Sequence, residues 1–202
     1  VAYDALIDST SSYSSSLPFN GPIPKSEVQS INFKDNTSVP DNAITSWDAS
    51  EKQNGSIMAY TLDEDNNGLY EVYVGQNGNV VLATNAKHVF TSFSNISTLD
   101  ISNIDTSNVT NMNGMFQGSQ VTTLDLSGFD TSNVTTMVAM FALSRVKTID
   151  LSSFDTSNVT NMERMFYNSK ATTGYARTQA DADKFNASSG KPTNLNFIVK
   201  SS

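Results

Sequence analysis

Apolar and polar residues recur along the chain with a period of 25 residues. Three consecutive units cover residues 99–123, 124–148 and 149–173. Each unit opens on alternating apolar and polar residues, which predicts a short strand with its apolar side chains inward. Each then carries Met-x-x-Met-Phe, a spacing that places three apolar side chains on one face of a helical turn. One strand and one helix cannot enclose a core alone, so the units are expected to stack.

This pattern predicts an α/β repeat fold. The period lies in the range of roughly 20–29 residues that leucine-rich repeats share. Strands about 4.8 Å apart would place the three units around one continuous core. We therefore expect a short leucine-rich-repeat-like solenoid of 25-residue β/α coils, closed by an N-terminal β-meander cap and a C-terminal helix-plus-strand cap.

Segments on both sides of the repeats predict these caps. Strand-like residues 56–62, 69–74 and 80–83 are separated by turn-rich segments, which indicates a three-stranded meander. Residues 86–98 resemble a degenerate first coil, with Phe90 near the phenylalanine column. Thr178 begins a capping-box-like sequence, and the helix that follows is expected to end near Ser188. Leu195, Phe197 and Val199 then alternate as a last strand.

Four segments result. Residues 1–26 are rich in Ser and Pro and are read as a tail or linker. Residues 27–98 form the N-terminal β cap with the degenerate coil, residues 99–173 the repeats, and residues 174–202 the C-terminal cap. Residues 27–202 are expected to fold as one unit.

The hexapeptide Asp-Thr-Ser-Asn-Val-Thr is identical in the three units and predicts structural turns. Its Asp can accept backbone N–H groups, its Thr is placed as a helix N-cap, and its Asn suits an amide ladder between stacked coils. The structural turn and cap residues are therefore Asp105, Asn108, Thr110, Asp130, Asn133, Thr135, Asp155, Asn158 and Thr160.

Polar positions of the predicted strands form the first candidate site. Aligned carboxylates repel one another, so either neighbouring hydroxyls and water solvate them, or the columns form a ligand face or a weak cation site. These columns contain Thr98, Asp100, Ser102, Thr123, Asp125, Ser127, Thr148, Asp150 and Ser152.

A second candidate is a small apolar patch in the middle repeat, near Glu163 and Arg164. Such a patch is typical of a contact site if it is exposed, although packing against the N-terminal tail would also explain it. Its residues are Val138, Ala139, Ala142, Leu143 and Tyr167.

Composition limits the chemistry. The chain has 12 basic and 20 acidic side chains, a net charge of -8, one His and no Cys. A charge of this sign argues against nucleic-acid binding, and the missing Cys excludes disulfides and Cys-ligated zinc. The sequence has no Gly-x-Ser-x-Gly motif, so His88 has no serine nucleophile of that kind to activate. We expect no catalytic residues, no cofactor and no metal site.

Residues 63–68 match the first half of an EF-hand loop. The acidic ligand expected at position 12 falls on Val74, so a hairpin turn is the favoured interpretation.

The repeats resemble a known family. Leu-Asp-Leu-Ser-x-Phe-Asp-Thr-Ser-Asn-Val-Thr-x-Met-x-x-Met-Phe is similar to the Mycoplasma-type lipoprotein repeat, akin to the BspA-like leucine-rich repeats of bacterial surface proteins. Flanking sequences around Trp47 and Tyr175 are similar too. Ile104 departs from the pattern, where the later units have Phe129 and Phe154, and no lipobox or sorting motif is present. The resemblance implies an exported, surface-attached protein, in some relatives linked to adhesion, and brings no catalytic residues.

These observations favour a non-catalytic cell-surface module that adheres to host or microbial macromolecules. The partner would be a protein or glycan on another cell or in the matrix, and the location extracellular, at the cell surface or cell wall. A structural spacer without a ligand is one alternative. Carbohydrate binding, with Trp47 as its aromatic, is another. No apolar stretch reaches 18 residues, so no membrane insertion is expected from this sequence. The oligomeric state stays open.

Overall fold

One strand joins the N-terminal part of the molecule to the first 25-residue unit. The computed structural model describes Ala5, Leu6, Phe19 and residues 21–201. In β1 (Val28–Lys34), Ile31 and Phe33 are buried while Asn32 lies half-buried on the opposite face. This strand pairs in parallel with β4 (Tyr70–Gln76) on one side and with β6 (Thr98–Asp100) on the other. The unit that begins at residue 99 therefore continues the N-terminal sheet.

Three sheets make up most of the regular structure. A five-stranded sheet has the order β2-β3-β4-β1-β6, a three-stranded sheet the order β10-β9-β8, and a two-stranded sheet pairs β5 with β7. The remaining strands are β2 (Thr45–Asp48), β3 (Ile57–Leu62), β5 (Val80–Val81), β7 (Ile104–Asp105), β8 (Thr148–Leu151), β9 (Thr173–Ala176) and β10 (Asn196–Val199). The helix α1 (Gln179–Asn186) lies after the repeats, and no described helix is long and apolar enough to cross a membrane.

The predicted three-stranded meander is only partly present. Strands β3 and β4 form the expected antiparallel hairpin. Strand β5 leaves this sheet and pairs in parallel with β7 of the first unit. In the turn before β5 the Gly78 N–H donates to the carbonyl of Asp35 (3.1 Å), and in β5 itself the Val80 N–H donates to that of Asn103 (2.8 Å).

The predicted α/β solenoid of leucine-rich-repeat type is wrong. The Met-x-x-Met-Phe segments contain no α-helix, and the only described α-helix lies outside the repeats. An α-helix would send each N–H to the carbonyl four residues earlier. Here Met112, Gly114 and Phe116 donate instead to Thr136, Val138 and Met140 in the next unit, over 2.8–3.0 Å. Each segment is a pair of turns bonded sideways to its neighbour.

Backbone conformation explains why the apolar spacing misled. Two positions per unit have positive φ, among them Gly114 and Gly118 in the first unit and Ala139 and Leu143 in the second. Such residues interrupt a right-handed helix. Turns that reset the chain direction still bring residues i, i+3 and i+4 to one side, so the apolar pattern alone cannot distinguish them from a helix.

Phenylalanine side chains stack along the core. Phe90, Phe116, Phe141 and Phe166 follow one another at centroid distances of 5.5–6.0 Å with nearly parallel rings. Phe90 thus occupies the predicted phenylalanine column. Five of the six repeat methionines are fully buried beside these rings, and Met162 is partly buried.

The C-terminal cap has the predicted helix and strand. The Thr178 hydroxyl accepts the Asp181 N–H at the start of α1, as an N-cap does. Leu195 and Phe197 are buried, whereas Val199 is exposed.

Most of the predicted tail, residues 1–26, lies outside the described residues. Leu6, Phe19 and Ile23 are described, and all three are buried in the core. The Leu6 N–H donates to the carbonyl of Val81 at 2.8 Å, so this part of the segment contacts the strand that enters the repeats.

Candidate ligand-binding face

Each hexapeptide closes a turn with its aspartate. The carboxylates of Asp105, Asp130 and Asp155 accept the backbone N–H two residues later at 2.8–2.9 Å. Hydrogen bonds from Ser132 lower the pKa of Asp130. Hydrogen bonds from Ser157, with the Arg177 guanidinium beside it, lower the pKa of Asp155 to about 2. These carboxylates therefore have a structural role, which is to close the turns.

A buried threonine links each unit to the next by hydrogen bonds, a role that the hexapeptide pattern did not predict. The Thr106 hydroxyl donates to the carbonyl of Asp130 and accepts its N–H, both at 2.9 Å. Thr131 makes the same pair of bonds with Asp155. After the last unit the partner is a side chain, because the Thr156 hydroxyl donates to the Asp181 carboxylate at 2.6 Å. The only sequence signal was the identity of these threonines within the hexapeptide.

The last threonine of each hexapeptide has a different role from the predicted one. Because no helix follows it, it cannot be a helix N-cap. The Thr110, Thr135 and Thr160 hydroxyls donate to the carbonyls of Thr84, Thr110 and Thr135, each at 3.2 Å. The asparagine amides also donate to backbone, from Asn133 to Ser107 and from Asn158 to Ser132, while Asn108 is exposed.

The polar strand positions form one surface, here called the outward face. Thr98, Asp100 and Ser102 are exposed, as are Thr123, Asp125 and Ser127, and in the third unit Thr148 is exposed while Asp150 and Ser152 are half-buried. Hydrogen bonds from serine hydroxyls offset part of the predicted repulsion between carboxylates. Ser102 donates to Asp100 at 2.7 Å, and Ser127 donates to Asp125 at 2.6 Å. The hydrogen bonds from Ser127 lower the pKa of Asp125.

The third carboxylate of the outward face has a cationic partner. The Lys200 ammonium lies 2.6 Å from the Asp150 carboxylate. Partial burial acts to raise the pKa of Asp150, but hydrogen bonds from Lys200 and Ser152 outweigh burial and lower it. The outward face therefore has an acidic site that already contains one ammonium group.

The outward face extends beyond the predicted columns onto the five-stranded sheet. Asp100 is in register with Asn32, Asn32 with Tyr73, and Tyr73 with Tyr60. The two tyrosine rings stack at 5.0 Å, and the Lys34 ammonium lies 5.6 Å from the Tyr73 centroid. Alternation of polar and apolar residues from Ser30 to Lys34 was the sequence signal for this extension.

The strand side of the molecule is interrupted at the middle unit. Residues 124–126 belong to no strand, although the equivalent residues 99–100 lie in β6 and 149–151 in β8. A groove of about 200 Å³ opens there on the outward face. We call it the central groove, and its lining consists of Leu124, Asp125, Leu126, Ser127, Asp150, Ser152, Ser153 and Lys200.

The second candidate site is smaller than predicted. Ala142 is buried, and Val138 and Ala139 are half-buried. Leu143 and Tyr167 are 52 % and 41 % exposed. Leu143 and Tyr167 are therefore the exposed apolar side chains of this region, with Val138 and Ala139 contributing less.

The remaining candidates are held by local structure. In the EF-hand-like segment the Asp63 carboxylate accepts the N–H groups of Asn67 and Gly68, at 3.0 and 3.2 Å, and so closes a turn. Burial lowers the pKa of His88, whose Nδ1 is buried against Gly114. Trp47 is partly buried and packs against the core. Among the described residues, no three His, Cys, Asp or Glu side chains are grouped so as to hold a metal ion.

Residues 84–196 match one protein family, which is described as Mycoplasma protein of unknown function, DUF285. The match begins at Thr84, whose carbonyl accepts the Thr110 N–H of the first unit, and ends in β10. It agrees with the Mycoplasma-type repeat that the sequence resembles. No curated protein and no solved structure matches the chain.

Proposed function

The chain belongs to the DUF285 family of Mycoplasma proteins of unknown function, and we propose that it is a non-catalytic interaction module of the bacterial surface. Its outward face would adhere to a protein or glycan on another cell or in the matrix. The resemblance to BspA-like surface proteins supports this role and an extracellular location.

The central groove is the observation on which the proposal rests. It places Asp125 and Asp150 on one exposed face, beside the hydroxyls of Ser127 and Ser152. A volume of about 200 Å³ suits one side chain or one sugar ring of a larger partner. Asp150 lies in β8, and serine hydrogen bonds orient both carboxylates, which lowers the entropy lost on binding.

Lys200 indicates which chemistry suits the groove. Its ammonium pairs with Asp150 at 2.6 Å and also lies within electrostatic reach of Asp125. Ligands that donate hydrogen bonds without a charge, such as sugar hydroxyls, match the remaining acceptors, whereas a cationic side chain would have to displace Lys200.

Carbohydrate binding is a second candidate, because the ring of Tyr73 lies half-buried on the outward face, stacked on the buried ring of Tyr60. Tyr73 replaces Trp47 as its aromatic residue, since Trp47 packs against the core. Sugar rings commonly use aromatic faces together with carboxylate and amide groups, and Asn32 lies beside Tyr73 in the register.

A binding screen against matrix proteins and a glycan array tests the proposal. The double variant Asp125→Asn, Asp150→Asn keeps the volume of both side chains and should weaken binding about tenfold or more. Glu163→Gln, an exposed carboxylate outside the groove, is the matched control and should bind as the parent does.

The possible results separate the alternatives. Loss of glycan binding in Tyr73→Ala would favour the carbohydrate role. A parent protein that binds nothing above background would overturn both roles and leave the structural spacer.

A further inference from the structure

Leu143 has two features that are unfavourable for an isolated molecule. Its side chain is 52 % exposed, and its φ is +60°. Equivalent positions of the neighbouring units hold Gly118 and Asn168, which are residue types that adopt this conformation easily. Strained and exposed residues of this kind persist at functional sites.

A tyrosine and a guanidinium group lie next to Leu143. The Leu143 N–H donates to the carbonyl of Tyr167 at 2.8 Å, and the Arg164 guanidinium lies 5.7 Å from the Tyr167 ring centroid. Gly190 contacts that ring, since a Cβ there would come within 2.7 Å of it. The tyrosine is therefore fixed beside the leucine as a flat apolar surface.

Three basic side chains and one acidic side chain lie near these two residues, since Arg164 pairs with Glu163 at 3.8 Å. Lys170 lies beside Ser144, the residue after Leu143, because its N–H donates to the Ser144 carbonyl at 2.8 Å. Arg145, the residue after Ser144, is exposed. Among the described residues neither Lys170 nor Arg145 forms an ion pair. We call Leu143, Tyr167, Arg164, Arg145 and Lys170 the Leu143 patch.

Charge is separated between the two ends of the chain. Residues 21–76 contain nine acidic and three basic side chains, whereas residues 143–202 contain five acidic and eight basic ones. Opposite net charges attract when two copies meet end to end, and like ends repel.

The acidic end also exposes a large apolar side chain. Ile44 is 56 % exposed and directly precedes β2, the edge strand of the five-stranded sheet. Asp41 and Asp48 lie on either side of it in the sequence. Ile44 and the Leu143 patch are thus complementary in charge and alike in apolar character.

We infer that the Leu143 patch docks the Ile44 region of a second copy of this chain. The two surfaces differ, and a head-to-tail contact between them leaves one free surface at each end of the assembly, whereas a reciprocal contact would close as a dimer; we infer the head-to-tail form. Association therefore continues beyond the dimer. This inference goes beyond the proposed function and does not depend on any ligand of the outward face.

Sedimentation velocity over a range of protein and salt concentrations tests it. The parent should increase in mean mass with concentration, without a plateau at the dimer, and added salt should reverse this. Leu143→Asn and Ile44→Thr should each weaken association about tenfold or more. Leu143→Asn copies the residue at position 168, so it relieves the backbone and should not unfold the protein. Ile198→Thr removes another exposed apolar side chain and is the matched control.

The decisive experiment mixes the Leu143→Asn and Ile44→Thr variants. Each keeps one good surface, so the mixture should form a 1:1 dimer and stop there. A parent that stays monomeric at millimolar concentration overturns the inference. So does association that Leu143→Asn abolishes and Ile44→Thr leaves intact, because the partner surface would then lie elsewhere.

Discussion

At Asp155 one carboxylate both closes a turn and meets the C-terminal cap. It accepts the Ser157 N–H at 2.8 Å and lies 3.0 Å from the Arg177 guanidinium. These contacts favour the ionised form and lower the pKa from 3.8 to about 2. Folding is therefore linked to the proton at this residue.

We predict that Asp155 contributes to stability above pH 4 and loses its contribution as the pH falls toward 2. Between these values the unfolded chain binds a proton that the folded chain does not, so acid favours unfolding. Urea unfolding at pH 2, 3, 4 and 6 measures this. Asp155→Asn should be less stable than the parent at pH 6, and the difference should shrink toward pH 2.

Arg177→Gln provides the control for this titration. It removes one cause of the lowered pKa of Asp155 and leaves Ser157. Because Arg177 also contacts the Asp181 carboxylate at 3.3 Å, its effect includes that second ion pair and should follow the same pH course. A difference between Asp155→Asn and the parent that does not vary with pH would contradict the linkage.

Residue-scale roles were predictable only where they are local. The Asp of the hexapeptide could be identified as a turn acceptor because its donor lies two residues away. Thr131 could not be identified as a bridge, since its partner Asp155 lies 24 residues away. The position of that partner follows from the stacking of units and not from the hexapeptide itself.

At the scale of elements, the edge of the last sheet is closed by one side chain. The Asn186 amide donates to the carbonyl of Phe197, and its Oδ1 accepts the Phe197 N–H, both at 2.9 Å. These are the two bonds that a further strand would make. An open strand edge invites pairing with other chains, and Asn186 occupies part of it.

We predict that Asn186→Ala lowers the free energy of unfolding by about 1–3 kcal/mol, because it leaves two backbone groups of β10 without their partner. Chemical denaturation and amide exchange at Phe197 are the measurements. Asn186→Asp serves as the comparison, since a carboxylate accepts the N–H but cannot donate. Its loss should fall between the parent and the alanine variant, and equal stability of all three would contradict the role.

Elements with local signals were predicted well, and elements defined by partners were not. Helix α1 was predicted because Thr178 begins it within its own sequence. The Met-x-x-Met-Phe helices were wrong because their N–H groups bond to the next unit. Strand β1 was not predicted as a separate strand, although its residues lie within the segment 27–98 that was assigned to the N-terminal β cap.

At the scale of the molecule, the units are interchangeable along most of their contacts. Thr135 donates to Thr110, and Thr160 donates to Thr135, with the same geometry. The phenylalanine column continues at similar spacing from Phe116 to Phe166. A unit could therefore be removed without changing the kind of contact that its neighbours make.

We predict that deletion of residues 124–148 leaves a folded protein with a single cooperative thermal transition at a lower Tm. The first unit then meets the third through equivalent hydrogen bonds, while less apolar surface is buried. Circular dichroism and calorimetry are the measurements. Deletion of residues 124–136, about half a unit, breaks the register and should abolish the transition. A folded half-unit variant would contradict the stacking.

The interruption at residues 124–126 has a mechanical consequence. Sideways hydrogen bonds and stacked rings run without a break along the Met-Phe side, whereas the strand side is divided at the middle unit. We therefore expect the molecule to bend more easily on the strand side than on the Met-Phe side. Bending about the phenylalanine column would change the width of the central groove. We therefore expect tension on the two ends of the molecule to change the distance between Asp125 and Asp150 first.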